Sequence, residues 1–472
     1  MDQPLLDYQL RTLAKMQGRQ PGLVIAHGTG LGKTRQAIEI YKNLGLPATI
    51  VVPAALKANY QKELKKWLGK TPDNVQIETQ QAVAKNGLKY DPPGGLLVVD
   101  EAHRARNLET ALFKNLQKTR AAKRLFLTAT PVFNHPSEIA SLVNLAAGKN
   151  ILPPDKRDFE KKYLENKQVD PSFYQRLLGV KPGIQPAIKH EKELVNALKT
   201  YVDYVGGRQE GFPASSMEEV RVPMADAQTD IYKTILGQAP LWMRMKVKAG
   251  LPPNKKEIEA MRAFMTGLRQ VSNTSRGYVN SLNKEESPKI NKAFDFLQEK
   301  IKTNPRYKAV VYSNYINSGL APYKALLERA GVPYGEFSGD VSRAKRNKMV
   351  EDYNADKLKA LLVSSAGAEG LDLKGTRLVQ LLEPHFNEEK EKQIIGRGIR
   401  YKSHDHLPEN EKNVLVQRYL AKPKAGLLNR VLGQQTDKGT DEYIRQMALA
   451  KSLATGELSA LMGNLTKKKM FL

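Results

Sequence analysis

The chain alternates short apolar runs with longer stretches in which apolar positions recur every three or four residues. The runs Gly22–Ala26, Ala48–Val52, Leu96–Val99 and Arg124–Leu127 are too short for buried helices, and most are bounded by turn or polar residues. Between them, segments such as Leu56–Leu68, with Leu56, Tyr60, Leu64 and Trp67 at helical spacing, predict helices. Strands without polar alternation, separated by helices, predict a mainly parallel sheet covered on both faces. From about Ala140 to Lys284 the buried-strand runs largely vanish. Charged helical segments take over there, punctuated by Leu152-Pro153-Pro154 and Leu251-Pro252-Pro253, with one short strand candidate at Val220-Arg221-Val222-Pro223. The alternation resumes with Lys308–Ser313, Tyr334–Gly339, Ala360–Ser365, Arg377–Glu383 and Val414–Leu420. The pattern therefore predicts an α/β protein: a first lobe over 1–140, a helical insertion over 141–284, a second lobe over 285–425, and a helical extension over 426–472 with the basic run Lys467-Lys468-Lys469.

Composition narrows the partners. The 472 residues hold 75 Lys plus Arg against 49 Asp plus Glu, a net charge of +26 that favours a polyanion, either nucleic acid or an anionic membrane surface. No apolar run approaches the ~18 residues of a spanning helix, and Met1-Asp2-Gln3-Pro4 lacks the basic start of a signal peptide. A membrane partner is therefore not expected. The absence of cysteine excludes disulfides, thiolate zinc sites and a cysteine nucleophile. It fits an intracellular protein, cytoplasmic or nucleoid-associated, or one of the host cytoplasm or virion if the source is viral.

Candidate chemistry begins after the first strand, at His27-Gly28-Thr29-Gly30-Leu31-Gly32-Lys33-Thr34, followed by a helix-compatible stretch. Glycines let the backbone curl so that successive N–H groups face phosphate oxygens at a helix N-terminus. Lys33 then reaches the terminal phosphates of ATP, and the Thr34 hydroxyl ligates Mg2+. His27 stands where the strict pattern has glycine. A second buried strand ends in Asp100-Glu101-Ala102-His103, where Asp100 holds the magnesium and Glu101 orients and deprotonates the attacking water. In the second lobe, Gln393-Ile394-Ile395-Gly396-Arg397-Gly398-Ile399-Arg400 places two guanidinium groups three residues apart, on one face if the segment is helical. Either could serve as an arginine finger. The small, glycine-rich segment Ser364–Leu373 follows a strand and would let backbone approach a ligand closely.

These motifs, with Leu6-Asp7-Tyr8-Gln9, Leu127-Thr128-Ala129-Thr130-Pro131 and Val311-Tyr312-Ser313-Asn314, make the chain resemble the Swi/Snf-type branch of the superfamily-two helicase-like ATPases (DEAH-box) from about Leu5 to Leu453. The stretch Arg400-Tyr401-Lys402-Ser403-His404, with Leu407-Pro408 and Val414–Leu420, is similar to a viral subgroup that includes the poxviral nucleoside triphosphatase and early-transcription ATPases, with phage relatives. The resemblance implies two RecA-like lobes with ATP between them and the helical block beside them. It implies that Gln9 recognises adenine and that Thr128 and Thr130, with His103 and Gln393 from their motifs, couple hydrolysis to lobe movement. Arg397 and Arg400 would reach the triphosphate, and Gly370 and Asp372 would link nucleotide state to the track. Ser313, Asn314 and Ser365 would touch nucleic acid. The chain leaves no room for bromodomain, chromodomain or zinc-type targeting modules, an expectation against chromatin remodelling.

A motor needs a track. Lys57, Lys62, Lys65, Lys66 and Lys70 crowd one helix against Glu63 alone; Lys114, Lys118, Arg120, Lys123 and Arg124 form a second run; Arg343, Lys345, Arg346 and Lys348 a third; Arg244, Lys246 and Lys248 a fourth. Such clusters predict phosphate contacts that are blind to sequence and sensitive to salt. Without an aromatic-rich platform for stacked bases, the expected partner is duplex DNA tracked by its backbone. The leading expectation is an ATP-driven motor on double-stranded DNA. Alternatives are a strand-separating DNA or RNA helicase, a viral-type ATPase that works with transcription or replication machinery, and a nucleic-acid scaffold with a decayed ATP site.

Overall fold

The computed structural model describes residues 4–28, 30–132, 135–170, 176, 181–206, 211–254, 256–278, 287–337, 341–365, 372–400, 402–426 and 435–467. It divides into two compact units: Met1–Glu165 with Pro186–Arg208 and Leu453–Leu472, and Asn166–Gln185 with Gln209–Ser452.

The first unit runs α1 (Asp7–Gln17), β1 (Gly22–His27), α2 (Lys33–Leu44), β2 (Ala48–Val52), α3 (Lys57–Leu68), β3 (Val75–Thr79), α4 (Gln80–Asn86), β4 (Leu96–Val99), α5 (Ala111–Gln117), β5 (Lys123–Thr128), α6 (Glu138–Ala147) and α7 (Lys156–Tyr163). After a ribbon of β6 (Leu164–Val169) and β7 (Gly183–Ile188), whose residues Asn166–Gln185 count with the second unit, come the helix Glu191–Tyr201 and β8 (Val202–Val205). The sheet order is β3-β2-β4-β5-β1-β8, every pairing parallel. Every residue of β1 is buried, and alternate side chains feed two cores. Leu23 and Ile25 pack with Met16, Ile38 and Leu127 on one face, while Val24 and Ala26 pack with Val99, Phe126 and Val143 on the other. Burial on both faces explains why these strands read as unbroken apolar runs.

The second unit repeats the plan. Its strands β9 (Ala214–Pro223), β10 (Ala309–Tyr312), β11 (Tyr334–Phe337), β12 (Ala360–Val363), β13 (Leu378–Leu381) and β14 (Asn413–Lys422) stand in the order β11-β12-β10-β13-β14-β9, again all parallel. Val311 and Leu362 enter one core with Ile290 and Tyr323, and Val310 and Leu361 enter the other with Phe337 and Ile394. The α/β class and the doubled parallel sheet hold as expected.

The stretch expected to be a separate helical insertion is distributed between the units. α6 packs into the first core, β8 pairs with β1 from Val24↔Val202 to His27↔Val205, and β9 pairs with β14 from Asn413↔Ala214 to Lys422↔Pro223. Helices Asp226–Gly237, Leu241–Ala249 and Glu257–Asn273 remain with the second unit. Val202-Asp203-Tyr204-Val205 escaped notice because it is short and carries a charge, and β3 because Val-Gln-Ile-Glu-Thr alternates as an edge strand does. No helix among the described residues is long and apolar enough to cross a membrane.

Candidate nucleotide site and nucleic-acid surface

In the first unit, β5 separates β1 from β4, so the glycine turn after β1, Thr128 at the end of β5 and Asp100 after β4 come from three neighbouring strand ends. Gly30 and Gly32 adopt φ of 82° and 69°, the left-handed region that favours glycine. At Gly32 an added Cβ would also meet Gln9 Nε2 at 2.9 Å. Lys33 opens α2, and its ammonium donates to the carbonyls of His27 (2.8 Å) and Gly28 (3.1 Å). Thr34 follows in the first turn, half-buried. Thr29 lies outside the described residues.

Gln9 is buried in α1, where its Oε1 accepts from Leu6 N (3.0 Å) and its Nε2 donates to Leu31 O (3.4 Å). His27 is wholly buried between Asp203 Oδ1 (2.9 Å to Nε2) and Gln36 Nε2 (3.2 Å to Nδ1), with Tyr8 edge-on at 5.3 Å. Burial holds its pKa below the usual imidazole value, against the pull of Asp203, and keeps the ring neutral.

The acidic side is strained and short of positive charge. Asp100 is pushed up to about 7, first by burial and then by the charge of Glu101, while Lys33 and the Glu101 N–H oppose the rise. Glu101 sits at φ 49°, ψ 47°, a left-handed conformation costing a non-glycine residue of order 1–3 kcal/mol and found mostly at working sites. His103 Nδ1 stands 3.2 Å from Glu101 Oε2 and 3.5 Å from Thr128 Oγ1, and Thr128 Oγ1 accepts from Thr130 N at 3.1 Å. The Glu101 carboxylate thus connects to the end of β5 through one imidazole. Gln80, which no motif announced, donates to Asp100 O at 2.7 Å and props this turn from α4. The Thr34 hydroxyl and the Asp100 carboxylate are oxygen donors of the kind a hard divalent cation prefers, and the raised Asp100 marks a place where added positive charge is favourable. Thr34 and Asp100, the pair expected to hold magnesium, have the donor chemistry that cation takes.

In the second unit, the helix Glu388–Gly398 carries Gln393 and Arg397 but ends before Arg400, so the two arginines do not share a helical face. Arg397 Nε is buried without a hydrogen-bond partner. Arg400 Nη1 pairs with Asp372 Oδ1 at 3.0 Å, and its N–H donates to Ser403 Oγ at 3.2 Å. The helix is moored by Glu391, which receives His385 N (2.8 Å) and Arg418 Nε (3.0 Å), and by Glu388, which binds Arg445. Gly370 lies outside the described residues. Ser313 is fully buried and donates to Glu383 (3.0 Å to Oε2), and Asn314 Nδ2 donates to the same carboxylate at 3.1 Å. In this arrangement Ser313 braces a loop instead of facing a strand of nucleic acid. Ser365 is exposed at the end of β12.

The basic clusters divide once their partners are known. Lys62, Lys65, Lys66 and Lys70 are exposed on or just beyond α3, with Lys57 half-buried at its start and Lys66 over the Trp67 ring at 4.6 Å. In the second cluster, Lys123 is drawn inward to the carbonyls of Met16, Gly18 and Gln20, and Lys114 and Arg120 pair with Glu109 and Asp91. In the fourth, Lys246 is fully buried against Glu257 at 2.6 Å. Lys123 and Lys246 therefore serve the fold, and the expectation that these two bind phosphate is corrected, whereas Lys114 and Arg120 stay exposed in surface pairs. Lys345 and Lys348 of the third cluster are exposed on the helix Arg343–Asn354, and nothing is described of the Arg343 side chain.

Three family models match the chain: the type III restriction enzyme res subunit over residues 4–133, the SNF2-related domain over 76–277 and the helicase conserved C-terminal domain over 291–402. The chain is 30% identical to a protein of Acanthamoeba polyphaga mimivirus named "Putative ATP-dependent RNA helicase L538", over 88% of this chain and 89% of that one. It is 24% identical to the "Termination factor NPH-I homolog" of African swine fever virus over 91% and 74% of the two chains. It is 23% identical to the "DNA repair and recombination protein RAD54-like" of Drosophila mojavensis over 81% and 56%. With the SNF2-related match and this near full-length likeness, the chain belongs to the superfamily-two helicase-like ATPases, nucleic-acid motors driven by ATP.

Proposed function

We propose that the chain hydrolyses ATP, with magnesium, to move along double-stranded DNA, and that it falls in the viral, transcription-associated branch of its family. The observation that carries the reading is the meeting, at neighbouring strand ends of one sheet, of the glycine turn bearing Lys33 with buried Asp100 and strained Glu101. In this reading the turn and Lys33 grip the phosphates, and Gln9 reads adenine. Glu101 takes the proton of the attacking water, a role worth roughly 10²–10⁴ in rate. Thr34 and Asp100 would hold magnesium, which when bound neutralises phosphate charge. Arg397 and Arg400 counter the charge that develops on the transferred phosphoryl group. The Glu101–His103–Thr128 connection is the route by which the state of the nucleotide moves the end of β5. Duplex DNA is favoured by the exposed lysines of α3, and the transcription role by the likeness to a viral termination factor.

Turnover of ATP measured alone and with duplex DNA, single-stranded DNA and RNA tests the proposal. Stimulation greatest with duplex DNA is expected, and equal turnover throughout overturns it. Glu101→Gln should keep ATP binding and lose turnover. A second reading, separation of RNA strands, is motivated by the name of the mimivirus relative. Displacement of a third strand from a triplex without unwinding supports translocation alone, and unwinding without triplex displacement supports the second reading.

A further inference from the structure

A closed ring of hydrogen bonds surrounds the glycine turn, and it lies entirely within the first unit. Its anchor is Asp203 on β8, fully buried, which accepts from Arg11 (Nε 2.8 Å, Nη2 2.7 Å), from Lys15 Nζ (2.9 Å) and from His27 Nε2 (2.9 Å). Arg11 and Lys15 belong to α1, one helical turn apart and just beyond Gln9. On its other side, His27 Nδ1 faces Gln36 Nε2 (3.2 Å), which also donates to Leu31 O (3.1 Å), and Gln36 Oε1 accepts from Thr12 Oγ1 (3.2 Å) back on α1. The ring therefore runs from α1 to β8, to the end of β1, to α2 and home to α1. The Thr12 hydroxyl also reaches Gln9 O at 2.8 Å, so its one hydrogen is shared between two acceptors, but at His27 the protons have one arrangement. Ionised Asp203 can only accept, so His27 carries its hydrogen on Nε2 and offers the Nδ1 lone pair to the Gln36 amide.

We infer that Asp203, acting through His27 and Gln36, is a positioning group that sets the orientation of the glycine turn and of Gln9, and with them nucleotide affinity and the preference for adenine. The inference rests on the proposed reading of Gln9 and the turn as an ATP site. Two observations carry it. The backbone carbonyl of His27, at the head of the turn, receives Lys33 Nζ (2.8 Å), so holding the imidazole also places the phosphate-binding lysine. The Leu31 carbonyl, held by Gln36, in turn holds Gln9 Nε2 (3.4 Å) and Tyr8 OH (3.3 Å). With Nε2 and Oε1 each fixed once, Gln9 keeps a second N–H and a second lone pair in a set direction. That donor and acceptor complement N7 and the exocyclic amine of adenine, whereas guanine offers acceptors at both positions.

The test uses the full chain and measures Kd for ATP, ADP and GTP by displacement of a fluorescent ADP analogue, with melting temperature as the check on folding. His27→Leu deletes both imidazole bonds at similar volume and leaves Asp203 with Arg11 and Lys15. Its expected effect is a roughly tenfold loss of ATP affinity, within the range of coupled polar networks. The ATP-over-GTP preference should narrow as well, while turnover at saturating ATP changes much less. His27→Gln, whose amide can donate to Asp203, should recover most of the loss. Gln36→Leu opens the same ring elsewhere, so the double variant should be no weaker than the weaker single one. Folded single variants with unchanged affinity and preference overturn the inference. So does an equal loss for ATP and GTP, the result of a merely structural role, and so does a double variant that loses the sum of both effects. A wild-type protein that binds neither ATP nor the analogue overturns the ATP-site reading itself, and is recognised before any substitution is made.

Discussion

The two units carry the same six-stranded parallel sheet, yet their strand ends are finished differently. In each, the last strand, β8 or β9, comes from the stretch between the first lobe's motifs and the second lobe's, and each brings a carboxylate to a set of cations. Asp203 of β8 is fully buried and gathers Arg11, Lys15 and His27 beneath the glycine turn. Glu219 of β9 keeps 27% of its side-chain surface and joins Arg221, Arg418 and Arg445 beside the helix that bears Arg397. Burial alone would raise both carboxyl pKa values, but the hydrogen bonds they accept outweigh it, and both are held below the usual carboxylate range. The comparison separates scaffold from chemistry. One sheet ends in a braced glycine turn, and the other places Arg397 on a moored helix, with Arg400 just beyond its end.

The largest effect that would break this division concerns activity. Lys33→Ala should remove ATP binding together with turnover. Arg400→Ala should keep binding and lose roughly 10³–10⁵ in rate, the range for an arginine finger. Binding by fluorescence titration beside phosphate release by steady-state assay distinguishes them. Normal turnover by the Arg400 variant would remove that arginine from the chemistry.

Stability comes next. Asp203→Ala leaves two cations facing a buried gap and should cost about 3 kcal/mol, the lower end for breaking a buried pair because Arg11 and Lys15 retain some exposure. Glu219→Ala should cost about 1 kcal/mol or less, since water reaches its partners and Arg418 keeps Glu391. The pH dependence carries a sign. A carboxylate whose folded pKa is depressed stabilises fully above its unfolded value near ~4, and that contribution fades as pH falls toward the folded value. The Asp203 variant should therefore converge on wild type in acid. A gap that stays constant from pH 7 to pH 3 in urea titrations would show that the carboxylate's charge is not what matters.

Asp100 provides the opposite sign within the same unit. Its folded pKa is raised to about 7, so keeping it ionised destabilises the fold increasingly as pH rises from about 4 to about 7, and constantly above that. Asp100→Asn should accordingly gain stability with rising pH, by up to about 4 kcal/mol above neutrality in metal-free buffer, while losing turnover. Thermal melts across pH 5–8 in chelator check it, and a variant no more stable than wild type at pH 8 would contradict the raised pKa.

Much of this was legible before any coordinates. The unbroken apolar runs of β1, β2, β4, β10 and β12 announce strands buried on both faces, and the glycine turn and the Asp100-Glu101 pair are local in sequence. What stayed hidden depends on distance along the chain. Asp203 meets His27 across the β1–β8 pairing, and a lone aspartate in a four-residue strand has no pattern to betray it. Gln80 reaches the Asp100 carbonyl from a neighbouring helix, and Glu383 gathers Asn273 from one segment and Ser313 and Asn314 from another. Charge runs misled for the same reason. Lys123 and Lys246 look like surface lysines until the carbonyls and the carboxylate that receive them are seen.

The smallest effect asks which unit meets the DNA backbone. Each lysine that touches a phosphate releases a counterion, so its removal should lower the slope of log affinity against log salt by about 1. Lys62 and Lys65 stand exposed on α3 of the first unit, and Lys345 and Lys348 on the helix Arg343–Asn354 of the second, Lys348 at the longer distance of 3.8 Å from Asp352. Single alanine variants of the four, titrated with duplex DNA between low and moderate salt, compare the units directly. Lys114→Ala is the control, because its side chain is exposed yet already paired with Glu109. We expect a reduced slope for Lys62→Ala and Lys65→Ala and an unchanged one for the control. If only the second-unit lysines alter the slope, the basic face of α3 is a solvated surface and the second unit is the one that meets the DNA.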